Sequence, residues 1–480
     1  MPSIEQLSPL DAAFLRLETP GSPMHIAWVG LCRPHPTRER PTVEALRASI
    51  GARLGHLPRC RHRVADPPAG LGDPFWVDDS SFDIARHVVA YTGPDQAVAL
   101  RSFDDLVDAL LAEPLDRSRP LWQFTLVPRL EDGRVGFCCR IHHAMADGIG
   151  GMEFAATLFA DPGEGIVLEP DDWTPAETPA AAELGVAALR EQAGTAGRWA
   201  ERAARGALDP WRSAATGASR LSRAIAAVRE DALAPASPSY LDVPTGPARR
   251  LARHAARVDD VLGIKRAAGV TFNDVCLAAV AGALRELALS RRESPAPLRA
   301  MVPVNRRAQD ESGIANRIAF SFVDLPVDAA APGERLRLVN ERTQRLKRSR
   351  RAEVAEAALD ASALVPAPIK GPLARFAAAS RLFNLPVSTI PGPREPITLL
   401  SATIEEGYPV GPVPAGHALF VAVLSYHEGV YFGCHADPGA LPEVDALPGL
   451  LERELAAMRP ACAGVGKTSA PTEPFPAPAH

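Results

Sequence analysis

Several short stretches of the chain alternate apolar and polar residues, and the most informative runs from Val135 to His142 with the sequence VGFCCRIH. A period of two predicts a β-strand. His142 and His143 stand at its carboxyl end, followed by a turn through Gly148 and an apolar helical stretch from Met152 to Phe159. Because α/β enzymes usually place their working groups at the carboxyl ends of strands, this histidine pair is the first candidate for chemistry.

Helical patterns separate the short apolar runs. Ser8 and Pro9 predict the start of the first helix, because serine caps helices and proline suits the first turn, and Asp11 stands where a capping-box acid would. Between residues 20 and 165, short apolar runs alternate with helical stretches, and a second pattern of this kind runs from about Arg250 to about Arg459. Such alternation predicts the α/β class.

The two patterns predict an N-terminal domain, residues 1–165, which carries the histidines, and a C-terminal domain, residues 248–460. Residues 166–247 between them contain proline-rich loops and an alanine- and arginine-rich stretch at 181–230. Residues 461–480 are a proline-, alanine- and threonine-rich tail without periodicity, which predicts disorder.

The stretch at 181–230 is predicted to be a helical linker. Leu221, Ile225 and Val228 follow one another at helical spacing and give a single apolar stripe among arginines. Such a helix either packs on its own protein with the basic face in solvent or lies on a membrane surface. Acidic residues among the arginines weaken attraction to anionic lipid, which favours packing on the protein.

Composition narrows the class of protein. The 480 residues are 46% apolar, enough for more than one core, and 23% charged, which argues against a chain disordered throughout. A net charge of −5 argues against nucleic-acid binding. The longest apolar run, Val275 to Leu284, is far below the roughly 18–20 residues of a membrane span, and no signal peptide is visible. Seven cysteines without a CxxC pair favour a reducing compartment, the cytoplasm, and no structural metal.

Three interpretations of the His-His-x-x-x-Asp-Gly run remain open. Adjacent residues of a strand point in opposite directions, so His142 and His143 cannot easily share a metal ion, and only Asp147 would be left as a nearby ligand. A single histidine can instead act as a general base, since a pKa of roughly 6.5 leaves it mostly neutral in the cytoplasm. Asp147 would then hold a histidine nitrogen or pair an arginine, and Gly148 would let the chain turn. The third interpretation is a buried structural pair.

The run HHxxxDG is also the signature of the CoA-dependent acyltransferase superfamily, which includes chloramphenicol acetyltransferase and peptide-synthetase condensation domains. Further motifs follow in order along the chain: Pro120–Trp122 (PLW), Asn273-Asp274, Met301–Arg307 (MVPVNRR), Asn316-Arg317 and Val387–Pro393 (VSTIPGP). With them, residues from about Ser8 to Arg459 resemble the bacterial wax ester synthase/diacylglycerol acyltransferase family. The ordered set is more specific than HHxxxDG alone.

The resemblance implies a fold and a mechanism. The fold is two chloramphenicol-acetyltransferase-like α/β domains with mixed sheets and flanking helices, and a substrate tunnel between them. His143, the second histidine, is then the general base that takes the hydroxyl proton of a diacylglycerol or a long-chain alcohol. The oxygen attacks the thioester of acyl-CoA, which is a substrate, so no cofactor is needed. His142, Asp147 and Gly148 support the shape of the site.

Other motif residues have less defined roles. Asn273 could donate to a developing oxyanion, whereas Asp274 fits a helix cap with Thr271. Pro120 and Trp122 are expected to form a wall beside the histidine strand, through packing rather than substrate contact. Arg306 and Arg317 are two further candidates, either to pair Asp147 or to bind a CoA phosphate.

Two departures from the family pattern bear on selectivity for alcohol or acyl chain. Ala315 stands where the family often has glycine, and Thr389 stands where it has asparagine. Two other functions are also considered: a related acyltransferase that uses a carrier-protein thioester or a polyketide hydroxyl, and a catalytically weak lipid-binding protein on storage droplets. The substrates of the leading function reside in membranes or droplets, so peripheral attachment to such a surface is expected.

Overall fold

The computed structural model describes residues 4–91, 97–146, 151, 154, 173–208, 235–305, 318–348, 367–380 and 382–463. The apolar stripe predicted at residues 221–228 and most of the helix predicted after Gly148 lie outside these residues, although Gly151 and Phe154 are helical. Of the predicted tail, residues 461–463 belong to the last helix and the rest lies outside the described residues.

The sheet that carries the histidine pair, sheet 1, has six strands. In spatial order they are β12 (Thr398–Leu399), β13 (Ala402–Val410), β2 (His25–Pro34), β7 (Val135–His142), β6 (Trp122–Val127) and β5 (Val88–Ala90). All neighbours are antiparallel except β5 and β6, which are parallel. The predicted strand coincides with β7, which is buried along its whole length in the middle of this mixed sheet.

A second six-stranded mixed sheet, sheet 2, is built from the C-terminal half. Its strands in spatial order are β10 (Ile318–Leu325), β9 (Leu298–Asn305), β11 (Leu385–Pro391), β14 (Leu419–Tyr426), β15 (Gly429–Ala436) and β8 (Arg250–Arg257). Strand β11 is parallel to both of its neighbours, and the other pairs are antiparallel. A three-stranded sheet of β1 (Glu5–Gln6), β4 (Phe75–Asp78) and β3 (His62–Ala65) lies apart from both.

Helices flank the sheets. Those before residue 209 are α1 (Pro9–Leu17), α2 (Val43–Gly51), α3 (Leu100–Ala112) and α4 (Ala181–Leu208). Those after residue 234 are α5 (Val258–Ala268), α6 (Phe272–Ser290), α7 (Pro332–Arg348), α8 (Ala367–Ala377) and α9 (Leu447–Ala463). Short 3₁₀ turns are formed by Leu54–His56, Pro58–Arg61, Pro68–Gly70, Ile84–Arg86 and Pro442–Ala446.

The sequence of the helices explains where they begin and what they bury. Ser8 caps α1 by accepting a hydrogen bond from the Asp11 amide at 3.1 Å, as predicted. Helix α6 is apolar on nearly all sides and is buried along most of its length between sheet 2 and helices α7 and α9. Helix α4 buries Leu184 and Ala188 against the three-stranded sheet, so this part of the predicted linker packs on its own protein.

The strands cross the boundary predicted between the two halves. Strands β12 and β13 belong to the C-terminal half of the chain but join sheet 1, where β13 pairs with β2 over Ala27 to Pro34. The core beneath sheet 1 accordingly includes Ile404, Tyr408 and Tyr431. Residues 398–410 therefore tie the C-terminal half to the sheet that carries the histidine pair.

The length and hydropathy of the helices determine whether any of them could cross a membrane. Within the part of the chain that the structure describes, no helix by itself has the length and apolar character of a membrane span. Helices α5 and α6 meet the criterion only when taken together, as a pair bent by 103°.

Candidate active site

Neighbouring strands hold the backbone of the histidine pair from both sides. The amide of His142 donates to the carbonyl of Leu121, just before β6, at 2.9 Å, and the amide of His143 donates to the carbonyl of Met24, just before β2, at 2.8 Å. Strand β7 ends at His142, and His143 begins the turn that follows. The pair is therefore fixed in the middle of the sheet, at the carboxyl end of its strand, as predicted.

The side chain of His142 is fully buried. Its Nδ1 accepts a hydrogen bond from the amide of Ala144 at 3.0 Å, which leaves the ring proton on Nε2. That Nε2 lies 3.4 Å from Oε1 of Glu18, near enough for electrostatic attraction but without hydrogen-bond alignment. Burial lowers the pKa of His142, and the Glu18 carboxylate only partly opposes this. We therefore expect His142 to be neutral and to accept no proton from a substrate.

Glu18 follows the last residue of α1, and the exposed fraction of its side chain is 6%. Nε and Nη2 of Arg117 donate to its Oε2 at 2.9 and 2.7 Å, and the amide of Met24 donates to its Oε1 at 3.2 Å. Burial raises the pKa of Glu18, but the nearby Nε2–H of His142 and the hydrogen bonds from Arg117 and the Met24 amide outweigh it and lower the pKa to about 2. Glu18 is therefore an ionised carboxylate beside the histidine pair.

His143 differs from His142 in exposure, since its side chain is only half-buried. Its ring stacks on that of Phe14 in α1, with centroids 3.9 Å apart and planes within 10° of parallel. Helix α1 thus supports one face of the His143 ring, while its carboxyl end carries Glu18. A partly exposed histidine on a fixed backbone is suited to proton transfer with a bound substrate.

His25 faces His142 across β2 and β7, and sequence reasoning did not single it out. Its side chain is 1% exposed, and neither ring nitrogen has a hydrogen-bond partner among the described residues. Burial, together with the charge of Arg140, lowers the pKa of His25 well below its ordinary value. This ring is therefore neutral as well.

Four of the predicted functional residues lie outside the described residues: Asp147, Gly148, Arg306 and Arg317. Their roles stay predictions. Among the residues that the structure does describe, no three His, Cys, Asp or Glu side chains are grouped so that they could hold a metal ion.

Pro120 and Trp122 are buried at the start of β6, next to the histidine strand. The indole Nε1 of Trp122 donates to the carbonyl of Cys60 at 2.9 Å, and its ring stacks on His87 with centroids 4.8 Å apart. Only 2% of Trp122 is exposed, so its side chain is surrounded by protein. These contacts fit the expectation of a packed wall.

Asn273 and Asp274 belong to α6, which flanks sheet 2 rather than sheet 1. Thr271 and Asp274 form the predicted capping box, at 3.2 and 2.9 Å. The Asp274 carboxylate also accepts from Asn340 at 2.8 Å and from Thr343 at 2.6 Å, both in α7. Asp274 is thus structural, as predicted, while Asn273 is half-buried in the first turn of the helix and its role stays a prediction.

Sequence reasoning missed Glu18, Arg117 and Phe14. Glu18 and Arg117 are 99 residues apart and meet only in the folded chain. No periodicity links either one to the histidine pair. The one available signal is the motif PLDRSRPLW, since Arg117 stands three residues before the Pro120 that was singled out.

Known proteins resemble this chain over nearly its whole length. A putative diacylglycerol O-acyltransferase of Mycobacterium bovis is 29% identical over 444 residues, which cover 90% of this chain and 91% of that protein. A probable diacylglycerol O-acyltransferase of Mycobacterium tuberculosis is 28% identical over 463 residues, which cover 94% of this chain and 98% of that protein.

Solved structures resemble the fold. The wax ester synthase/diacylglycerol acyltransferase of Marinobacter aquaeolei VT8 has a TM-score of 0.66 at 23% identity and covers 95% of this chain and 99% of its own. The first condensation domain of the calcium-dependent antibiotic synthetase has a TM-score of 0.59 at 14% identity and covers 96% of this chain and 97% of its own. These likenesses confirm the predicted fold class of two chloramphenicol-acetyltransferase-like domains, while the tunnel between them stays a prediction.

Family models decide the assignment. The model of the wax ester synthase/diacylglycerol acyltransferase catalytic domain matches residues 7–276, more than half of the chain. The model of the C-terminal domain of the same family matches residues 314–459. The chain therefore belongs to the wax ester synthase/diacylglycerol acyltransferase family and is an acyltransferase of that family.

Proposed function

We propose that this acyltransferase moves a long-chain acyl group from acyl-CoA to the hydroxyl of a diacylglycerol or a long-chain alcohol, with His143 as the general base. The product is a triacylglycerol or a wax ester. The observation that carries the proposal is that His143, unlike the fully buried His142, is partly exposed, with its backbone held at the end of β7 by the Met24 carbonyl and its ring stacked on Phe14. The names of the relatives support the acceptor class.

The reaction needs one proton carrier. The imidazole of His143 removes the hydroxyl proton as the oxygen attacks the thioester carbonyl, which forms the new C–O bond. The tetrahedral intermediate then expels CoA as its thiolate by breaking the C–S bond, and the imidazolium returns the proton to that sulfur. General-base catalysis of this kind contributes roughly 10²–10⁴-fold, and alignment of the two bound substrates contributes further.

The neighbours of His143 have supporting roles in this proposal. His142 is buried and bonded through Nδ1 to Ala144, so it fixes the shape of the turn rather than exchanging protons. Asp147 and Gly148 complete the motif, with Gly148 allowing the chain to turn. Asn273 remains a candidate for the oxyanion, and acyl-CoA is a substrate rather than a resident cofactor.

The test of the reaction is thiol release. Purified protein with palmitoyl-CoA and either hexadecanol or dioleoylglycerol should release free CoA thiol and form the ester. His143→Ala should lower kcat by about 10²–10⁴-fold, whereas His56→Ala, at an exposed position, should leave it unchanged. A His143→Ala enzyme as active as the wild type would refute the mechanism.

Turnover of a carrier-bound thioester in place of acyl-CoA would favour the related acyltransferase, and lipid binding without thiol release would favour the droplet-binding protein.

The same proposal includes peripheral attachment to a membrane or a lipid inclusion, because the acceptors are insoluble in water. Helix α8 supports it. Ile369, Leu373 and Phe376 lie on one face of α8 and are 54%, 44% and 56% exposed. On the inner side, α8 packs against α1 and Lys370 Nζ lies 2.6 Å from Asp73. An exposed apolar face on a helix that also carries the exposed Arg375 is typical of a surface that contacts lipid.

This attachment can be measured by sedimentation with vesicles of phosphatidylglycerol and phosphatidylcholine that contain diacylglycerol. Glutamine at Ile369, Leu373 and Phe376 together should reduce the vesicle-bound fraction several-fold and leave turnover of short, water-soluble substrates unchanged. The matched control places glutamine at Val186 and Leu189, which are 47% and 53% exposed on α4. Equal loss in the two variants, or none in the first, would argue against α8 as the contact.

A further inference from the structure

We propose that Glu18 and Arg117 are positioning residues for the acyl transfer, which fix where the imidazole of His143 lies. The inference rests on the proposed function of His143 as general base and extends it to two residues outside the HHxxxDG motif. Two chains of contacts lead from the Glu18 carboxylate to the histidine pair, and another leads there from the Glu18 backbone and Arg117.

The first chain runs through the backbone of Met24. Oε1 of Glu18 accepts a hydrogen bond from the Met24 amide at 3.2 Å. The carbonyl of the same residue accepts from the amide of His143 at 2.8 Å. Two hydrogen bonds therefore separate the carboxylate from the backbone of His143, and a shift of Glu18 moves the residue that anchors it.

The second chain runs through helix α1. The amide of Glu18 donates to the carbonyl of Phe14 at 3.1 Å and closes the last turn of the helix. Phe14 is the residue whose ring stacks on His143. Nη2 of Arg117 donates to the carbonyl of Leu15 at 2.6 Å, in the same turn. The Glu18 amide and the Arg117 side chain thus hold the backbone of the helical turn whose Phe14 ring supports the His143 ring.

The third chain is electrostatic. The ring proton of His142 on Nε2 faces Oε1 of Glu18 at 3.4 Å in a site that is closed to solvent. An ionised carboxylate stabilises that orientation of the ring, whereas a neutral side chain would leave a buried N–H without an opposing charge. Because His142 precedes His143 directly, a change in its orientation reaches the turn in which His143 lies.

Arg117 keeps the carboxylate in place from the solvent side. Its side chain is 46% exposed while that of Glu18 is 6% exposed, and both nitrogens that contact Glu18 reach the same oxygen, Oε2. The other oxygen, Oε1, is left for Met24 and His142. Arg117 also begins the segment that leads to Leu121, whose carbonyl accepts from His142.

Steady-state kinetics with palmitoyl-CoA and a water-soluble short alcohol test the proposal. Glu18→Gln should lower kcat by about 10–100-fold, the size expected of a displaced catalytic group. The KM for palmitoyl-CoA should change little, since neither residue is proposed to bind substrate. Glu18→Ala, which also loses the bond to Met24, should be slower than Glu18→Gln, and Glu18→Asp should recover part of the loss. The matched control is Glu5→Gln, which breaks an exposed 2.7 Å pair with Arg59 and should leave kcat unchanged.

Arg117→Ala provides the second measurement, with kcat expressed per folded molecule because the variant leaves the buried Glu18 carboxylate without its cation. It should lower kcat less than Glu18→Gln, and the loss in the double variant Glu18→Gln/Arg117→Ala should be well below additive, since both substitutions act mainly on the Glu18 carboxylate. Additive losses would overturn the proposal, as would full kcat in folded Glu18→Ala. If His143→Ala is inactive while the Glu18 and Arg117 variants retain full kcat, only this inference fails. If His143→Ala is fully active, the proposed function fails with it.

Discussion

Each half of the molecule contains a glutamate buried against an arginine, and these two pairs have different surroundings. In the N-terminal half, Glu18 is 6% exposed and its partner Arg117 is 46% exposed. In the C-terminal half, Glu454 of α9 is 7% exposed and its partner Arg335 of α7 is 3% exposed. In the N-terminal pair, therefore, the arginine reaches solvent and the carboxylate lies beside the histidines. In the C-terminal pair, the closed pair, both side chains are buried and join two helices.

The closed pair is part of helix packing. Nη1 of Arg335 donates to the carbonyls of Ala329 and Ala330, and Nε and Nη2 bind Glu454 at 2.6–3.1 Å. Gly282 of α6 lies directly beneath the Glu454 carboxyl group, where a Cβ would overlap it. Similar ionic groups therefore stabilise helix packing in one half and, in our proposal, hold a histidine site in the other.

The largest expected effect comes from breaking the closed pair. Arg335→Met leaves Glu454 buried without its cation and should lower the free energy of unfolding by about 3–5 kcal/mol. The turnover of the molecules that remain folded should be unchanged, since the pair lies on the helices of sheet 2. Thermal unfolding and kcat per folded molecule measure the two quantities.

The control replaces both partners. Arg335→Met with Glu454→Met removes the unpaired charge and should recover most of the lost stability. If Arg335→Met were as stable as the wild type, or if it lowered kcat of the folded molecules as Glu18→Gln is expected to do, the distinction between the two pairs would not hold.

Local patterns in the sequence were enough to place the histidine strand and the helix caps. The alternation from Val135 to His142 matches β7, and Thr271 with Asp274 forms the predicted capping box, because both depend on neighbours within a few residues. Pairing of distant segments leaves no such signal. Strand β13 joins β2 across more than 360 residues of chain, so sequence patterns could not show that the C-terminal half completes sheet 1.

The candidate site, like the fold, could be predicted only where its residues are close together in sequence. His142 and His143 follow from a motif that is continuous in sequence, and the structure places them at the predicted strand end. Glu18, which faces His142, and Arg117, which binds Glu18, come from segments 124 and 25 residues before His142, and a lone glutamate after a helix has no distinguishing pattern. Such partners are set by tertiary packing, which is why contacts rather than motifs reveal them.

A smaller effect separates the two carboxylates by the sign of their pH dependence. The pKa of Glu18 is lowered from 4.5 to about 2 in the folded chain. A lowered folded pKa stabilises the protein above pH 4.5, by about 3 kcal/mol, and this contribution is lost as the pH falls from 4.5 toward 2. The difference in Tm between wild type and Glu18→Gln should therefore be constant between pH 7 and pH 5 and shrink to less than half by pH 3.

Glu454 should behave in the opposite way. Burial raises its pKa despite the attraction of Arg335, so the folded chain keeps this proton to a higher pH than the unfolded chain does, and stability is lost as the pH rises through the ordinary range of a glutamate. The difference in Tm between wild type and Glu454→Gln should accordingly shrink as the pH rises from 4 to 7.

Scanning calorimetry of the two variants at matched ionic strength measures both slopes, and parallel slopes would mean that the two sites share one electrostatic environment. Opposite slopes would show that the carboxylate beside the histidines is held ionised, which is the state that orients His142, whereas the carboxylate between the helices is tolerated for its fit.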